Sequence, residues 1–112
     1  MPSTYISVIR PPKWVFDELE SKAKLNDMNI AKFTGIILTH ALRNKALYDK
    51  TKPAVNSSSE ELRKNLNITA SAATKKAIDD WGNVDGRTLN QQTLNILKKY
   101  ISLSLPIEEL KN

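Results

Sequence analysis

The sequence predicts a mainly α-helical chain with a single short N-terminal strand. Three observations predict it. "TYISVI" at 4–9 alternates side-chain character as a short strand does, and a double proline at 11–12 ends it. From Pro12 onward apolar residues recur at three- and four-residue intervals through most of the chain. Polar capping residues stand before several of those periodic runs.

The first helix starts at Pro12, whose fixed φ and missing N–H suit a first helical turn. Val15, Phe16, Leu19 and Ala23 share one face, and Asp17 and Glu18 lie near the positive N-terminal end. "NDMN" at 26–29 is a turn, with Asn29 the N-cap of a second helix, "IAKFTGIILTHALRNKALYDK". Ile30, Phe33, Ile37 and Ala41 form its main stripe, but Ile36, Leu38 and Leu42 make its middle apolar nearly all round. Such a helix must be buried on several sides. Gly35 within it either permits a close helix crossing or is simply tolerated.

"TKPAVNSSS" at 51–59 reads as a linker, dividing residues 1–52 from 57–112. Ser58 with Glu61 forms a capping-box pattern for a short helix at 59–66. Thr69 caps "ASAATKKAIDDW", with Ala73, Ala77, Ile78 and Trp81 inward and Gly82 as its stop. Thr88 with Gln91 repeats the capping-box pattern ahead of a long helix at 89–104, which Pro106 ends. No internal repeat is visible.

The chain of 112 residues has no cysteine, which rules out disulfides, thiol catalysis and cysteine-ligated metals. It has no apolar run of the ~18 residues a membrane helix needs. The N-terminus lacks the order of a signal peptide, so the expected compartment is the cytoplasm and the acceptor patterns at Asn56 and Asn67 are read as chance. Net charge is +5, placed unevenly: residues 1–56 carry nine Lys/Arg against five Asp/Glu, residues 57–112 eight against seven. That excess points toward a polyanionic partner.

Little of the sequence suggests catalysis. His40, the only histidine, lies in "IILTHAL" and is expected as a hydrogen-bonded core residue. The adjacent pairs Asp79–Asp80 and Glu108–Glu109 diverge by about 100° on a helix and do not converge on a substrate or metal. The three glycines are isolated, so no phosphate-cradling loop is present. The expectation is a non-enzyme without cofactor or metal.

The unpaired strand is the remaining puzzle, because its backbone groups need a partner. Strand, proline, helix with "L-x-x-x-A", short turn, polar N-cap and a strongly apolar helix: residues 4–45 resemble the ribbon-helix-helix family of DNA-binding dimers. The resemblance implies that strands of two subunits pair antiparallel and enter the major groove, that four helices build an intertwined dimer core, and that the N-terminus of the second helix holds a phosphate. It implies double-stranded DNA as partner and a homodimer or larger assembly. Residues 57–112 then form a helical module for oligomerisation or for a protein partner.

On that reading the phosphate falls to Asn29, Ile30 and Ala31, with Lys32 beside them. Polarity turns Ile6 and Val8 toward the core and puts Tyr5, Ser7 and Ile9 on the DNA face, with Arg10 at the strand end. Counting back from Leu19 and Ala23 by the family spacing gives the reverse, with Ile6, Val8 and Arg10 outward. An extra residue at the second proline would reconcile the two, and burial of two β-branched residues decides for the first. The expected function is a transcriptional repressor or an accessory protein of plasmid or mobile-element DNA. An antitoxin whose C-terminal segment wraps a toxin is the alternative, and a helical interaction protein that binds no DNA is a third.

Overall fold

Leu66–Ser71 completes the ribbon. In the computed structural model, which describes residues 4–56 and 62–111 and leaves out the side chains of residues 4–7, β1 (Thr4–Ile9) pairs antiparallel with β2 (Leu66–Ser71) of the same chain. The expectation that β1 is paired by a second copy is corrected: the strand that pairs with it is β2 of the same chain. Among the described residues the sheet has these two strands, and the helices are α1 (Lys13–Leu25), α2 (Ile30–Arg43), α3 (Lys45–Asp49), α4 (Ala72–Asp85), α5 (Leu89–Leu103) and α6 (Ile107–Lys111).

α1 begins after Pro12 and buries Val15, Phe16, Leu19 and Ala23, the four residues of its predicted stripe. Asn29 caps α2 by accepting from the Lys32 backbone N–H at 2.8 Å. The run predicted as one helix to residue 50 breaks at Asn44, where φ is −136°. The helix expected at 59–66 is not formed over its described part: residues 62–65 form no helix, Arg63 makes an antiparallel bridge to Pro12 and β2 starts at Leu66, while Ser58 and Glu61 lie outside the described residues. Thr69 is a strand residue, and Ser71 is the cap of α4, accepting from Thr74 N–H at 3.1 Å. α4 runs through Gly82 and stops at Gly86, which takes φ +75°. The capping box of Thr88 and Gln91 forms as predicted.

The order β1–α1–α2 is repeated as β2–α4–α5, although no repeat is visible in the sequence. α4 and α5 begin at 72 and 89, each 59 residues after α1 and α2, which begin at 13 and 30. The same offset relates Asn29 to Thr88, the two N-caps of α2 and α5. It relates Asp27 at φ +54° to Gly86 at φ +75°, the left-handed residues of the two inter-helix turns. It relates buried Leu19 to Ile78, Ile37 to Ile96 and Leu38 to Leu97. Thr34 and Thr93, also 59 apart and buried, each return a hydrogen bond to the carbonyl four residues back at 2.8 Å.

The ribbon's register carries the same relation. Val8 and Asn67 are 59 apart and stand directly opposite each other, so a local two-fold axis passes through that pair. The Pro12–Arg63 bridge continues the register beyond β1. α2 packs against α4 and α5, and α5 against α1, so the two units interlock rather than sit side by side. The segments 1–52 and 57–112 share one hydrophobic core, with Ile9, Phe33 and Tyr48 from one and Leu66, Ile68 and Leu110 from the other.

Candidate nucleic-acid interface

The ribbon has a buried face and an open face. Ile9, Leu66 and Ile68 are buried, which removes most of their apolar surface from water. Val8 is 53% exposed and Asn67 is exposed. The polarity-based register is therefore reversed: Ile9 belongs to the core and Val8 to the open face. The cause is β2. Its strict alternation of Leu66, Ile68 and Ala70 with Asn67, Thr69 and Ser71 fixes which edge-to-edge pairs lie inward, and Ile9 is opposite Leu66. Tyr5 and Ser7 hold ladder positions opposite Ala70 and Ile68, and their side chains lie outside the described residues.

Arg10 is exposed at the end of β1, where the Arg63 guanidinium donates to its carbonyl oxygen at 2.9 Å. Backbone bonds from Lys64 N–H to the Pro11 carbonyl and from Lys13 N–H to the Leu62 carbonyl tie this end of the ribbon together. Lys64 also lies 4.4 Å from the Phe16 ring centroid, within range of a cation–π contact. Arg10, Lys13, Arg63 and Lys64 thus gather at one end of the ribbon. Two of them come from a segment that was expected to be helical.

The N-termini of α2 and α5 are the second feature. Asn29 and Lys32 are exposed and Ile30 is half-buried. Their counterparts are Thr88, Gln91 and Leu89. Each first turn keeps N–H groups near its surface, where the helix dipole favours an anion. The residues expected at the start of the second helix, Asn29, Ile30 and Lys32, stand there, while Asn67, Thr69 and Arg63 join the ribbon surface from a segment in which no strand is expected. The signal was present in the six-residue alternation "LNITAS", hidden because Thr69 also reads as a cap.

The two ends of the ribbon differ. α2 lies against β2, and a Cβ added to Gly35 would stand 2.0 Å from the Thr69 carbonyl oxygen. The residue in the place of Gly35 on α5 is Leu94. Its side chain lines a groove of about 500 Å³ between the start of α5 and the end of β1, together with Val8, Arg10, Arg63, Asn65 and Gln91.

His40 is remote from this surface. It is 5% exposed, and its Nδ1 lies 3.1 Å from the Tyr48 hydroxyl. Burial first, then the charge of Arg43, hold its pKa below the ordinary value, with Glu109 opposing them. This is the hydrogen-bonded core histidine that the sequence suggests. No described helix is long and apolar enough to cross a membrane. No family model matches the chain, and no curated protein and no solved structure matches it either.

Proposed function

We propose that the protein is a sequence-specific binder of double-stranded DNA of the ribbon-helix-helix type, acting as a repressor or as an accessory protein of plasmid or mobile-element DNA. The observation that carries this reading is the two-fold register of the ribbon about Val8 and Asn67, with its apolar face buried and its other face open. A two-stranded ribbon fits the major groove and presents side chains to base edges. Asn67 and Thr69 from one strand, with Val8 and Arg10 from the other, are the groups in position to do so. Asn pairs well with the donor and acceptor of adenine, and an apolar side chain suits a thymine methyl.

The helix starts at Ile30 and Leu89 would hold phosphates on either side of the ribbon, with Lys32 beside the first and Arg63 near the second. Because one chain supplies both strands, the binding unit needs no second copy to form the ribbon. The test is fluorescence anisotropy of a labelled random duplex across a salt series. Binding should weaken linearly in log–log form as salt rises, with a slope near −0.9 per phosphate contacted. Absence of binding at low salt, or affinity indifferent to salt, overturns the reading.

A further inference from the structure

We propose that a single chain reads a directional, non-palindromic duplex site, because its two half-units are alike in backbone and unlike in the groups they present. This rests on the DNA-binding reading above. In a true two-fold dimer the residues related by the axis are identical, so the preferred site repeats itself on the opposite strand. Here the related positions are occupied by different chemistry. Val8 stands against Asn67 on the axis itself, and Arg10 occupies the place that Thr69 holds on the other strand. An apolar group and an amide seek different base edges, as do a guanidinium and a hydroxyl.

The flanks differ as well. Gly35 lets α2 press against the Thr69 carbonyl, whereas Leu94 lines an open groove beside Arg10 and Arg63. The phosphates on the two sides therefore meet different surfaces: a helix end carrying Lys32 on one, a groove lined by Arg10 and Arg63 on the other. Both differences act in the same direction. The complex can form in one orientation on a given sequence, and turning the protein end for end exchanges a matched half-site for a mismatched one.

The experiment is selection of bound duplexes from a random library by the full chain, followed by affinity measurements on the selected site. Two palindromes are built from it, one duplicating each half. The expected motif is not self-complementary, one chain binds per duplex, and each palindrome binds at least about tenfold more weakly, as loss of one good side-chain-to-base match implies. The swap Val8→Asn with Asn67→Val then moves the central base preference to the other strand while the flanking preferences stay in place. A self-complementary motif bound by two chains, or palindromes bound as tightly as the parent site, overturns the inference and leaves DNA binding standing. Failure of every duplex to bind in a salt-sensitive way overturns both.

Discussion

Gly35 approaches β2 so closely that any side chain there would collide with the backbone of Thr69, its Cβ falling 2.0 Å from the carbonyl oxygen. The neighbour is main chain held in the ribbon ladder, so it has no rotamer by which to yield. Gly35→Ala should raise helix propensity by about 1 kcal/mol and still destabilise the protein by up to about 2 kcal/mol, because overpacking against fixed main chain at the upper end of its usual cost of about 3 kcal/mol outweighs that gain. Thermal melting of the variant checks this. A melting temperature equal to the parent's would mean that α2 does not press on the ribbon.

The strand register makes opposite demands on two neighbouring residues. Ile9→Ala should cost about 2–5 kcal/mol, since a buried side chain is lost and a cavity left behind. Val8→Ala, on the open face, should change stability by less than about 0.5 kcal/mol. Urea denaturation of both variants decides the matter. A large loss for Val8→Ala with little for Ile9→Ala would restore the register that polarity alone suggests.

The turns at Asp27 and Gly86 both use left-handed backbone, at φ +54° and +75°. A Cβ at Gly86 would meet nothing within 4 Å, so only conformational strain opposes a substitution there. Gly86→Ala should cost about 1 kcal/mol, strain partly offset by a less flexible unfolded chain. Asp27→Gly should leave stability within about 0.5 kcal/mol, because relief of strain and added unfolded-chain freedom oppose each other. Melting curves showing Gly86→Ala as stable as the parent would place the turn elsewhere.

His40 gives the fold a pH dependence of known sign. Its pKa is lowered in the folded chain, so the folded state favours the neutral ring. The corresponding stability is complete above its ordinary value of 6.5 and is lost as pH falls through the lowered folded value. His40→Gln keeps a polar partner for the Tyr48 hydroxyl and cannot titrate there. The fall in stability between pH 7 and pH 5 should be shallower in the variant than in the parent. Equal slopes would show that His40 is not the group responsible. Tyr100, which donates to the Leu105 carbonyl and is pushed up to about 12 by burial, stays neutral throughout.

Asn67→Ala and Thr69→Ala test the base-reading role of the ribbon. Each should reduce discrimination between a selected site and random duplex by about 1–3 kcal/mol without affecting folding. Lys32→Ala and Arg63→Ala should instead weaken both duplexes about equally and flatten the salt slope by roughly one unit. If Asn67→Ala leaves discrimination intact while melting like the parent, bases are not read by this face.

Local signals made much of this protein legible. The α1 stripe of Val15, Phe16, Leu19 and Ala23, the caps at Asn29 and Thr88, and the unusual greasiness of α2 all follow from spacing within a few residues. Where the reading failed, two local rules competed. Leu66–Ser71 alternates as a strand, yet Thr69 and Ser71 both also fit a helix N-cap, and only a partner strand makes extension the better outcome. Gly82 looks like a helix stop, but a Cβ there would meet the Arg87 carbonyl at 2.9 Å, so its smallness serves the turn packed against it.

The sequence by itself determined the starts of α1, α2 and α5, the apolar stripe of α1, and that β1 needs a partner, because each of these depends on residues within about one or two turns of each other. Tertiary structure alone decided who that partner is and which face of the strand is buried. Pairing joins residues as far apart as Thr4 and Ser71, and a strand's inward face is set by the surface it meets as much as by its own residues. The repeat was hidden for the same reason. Between residues 7–44 and 66–103 the two units share a residue only at Ile9 and Ile68, Thr34 and Thr93, Ile37 and Ile96, and Leu38 and Leu97. Burial asks for filled volume and satisfied hydrogen bonds rather than identity, so Phe33 in one unit is matched by Gln92 in the other, its amide satisfied by Asp85 and Arg87. Equivalence of that kind becomes visible only when both residues are seen buried in the same place.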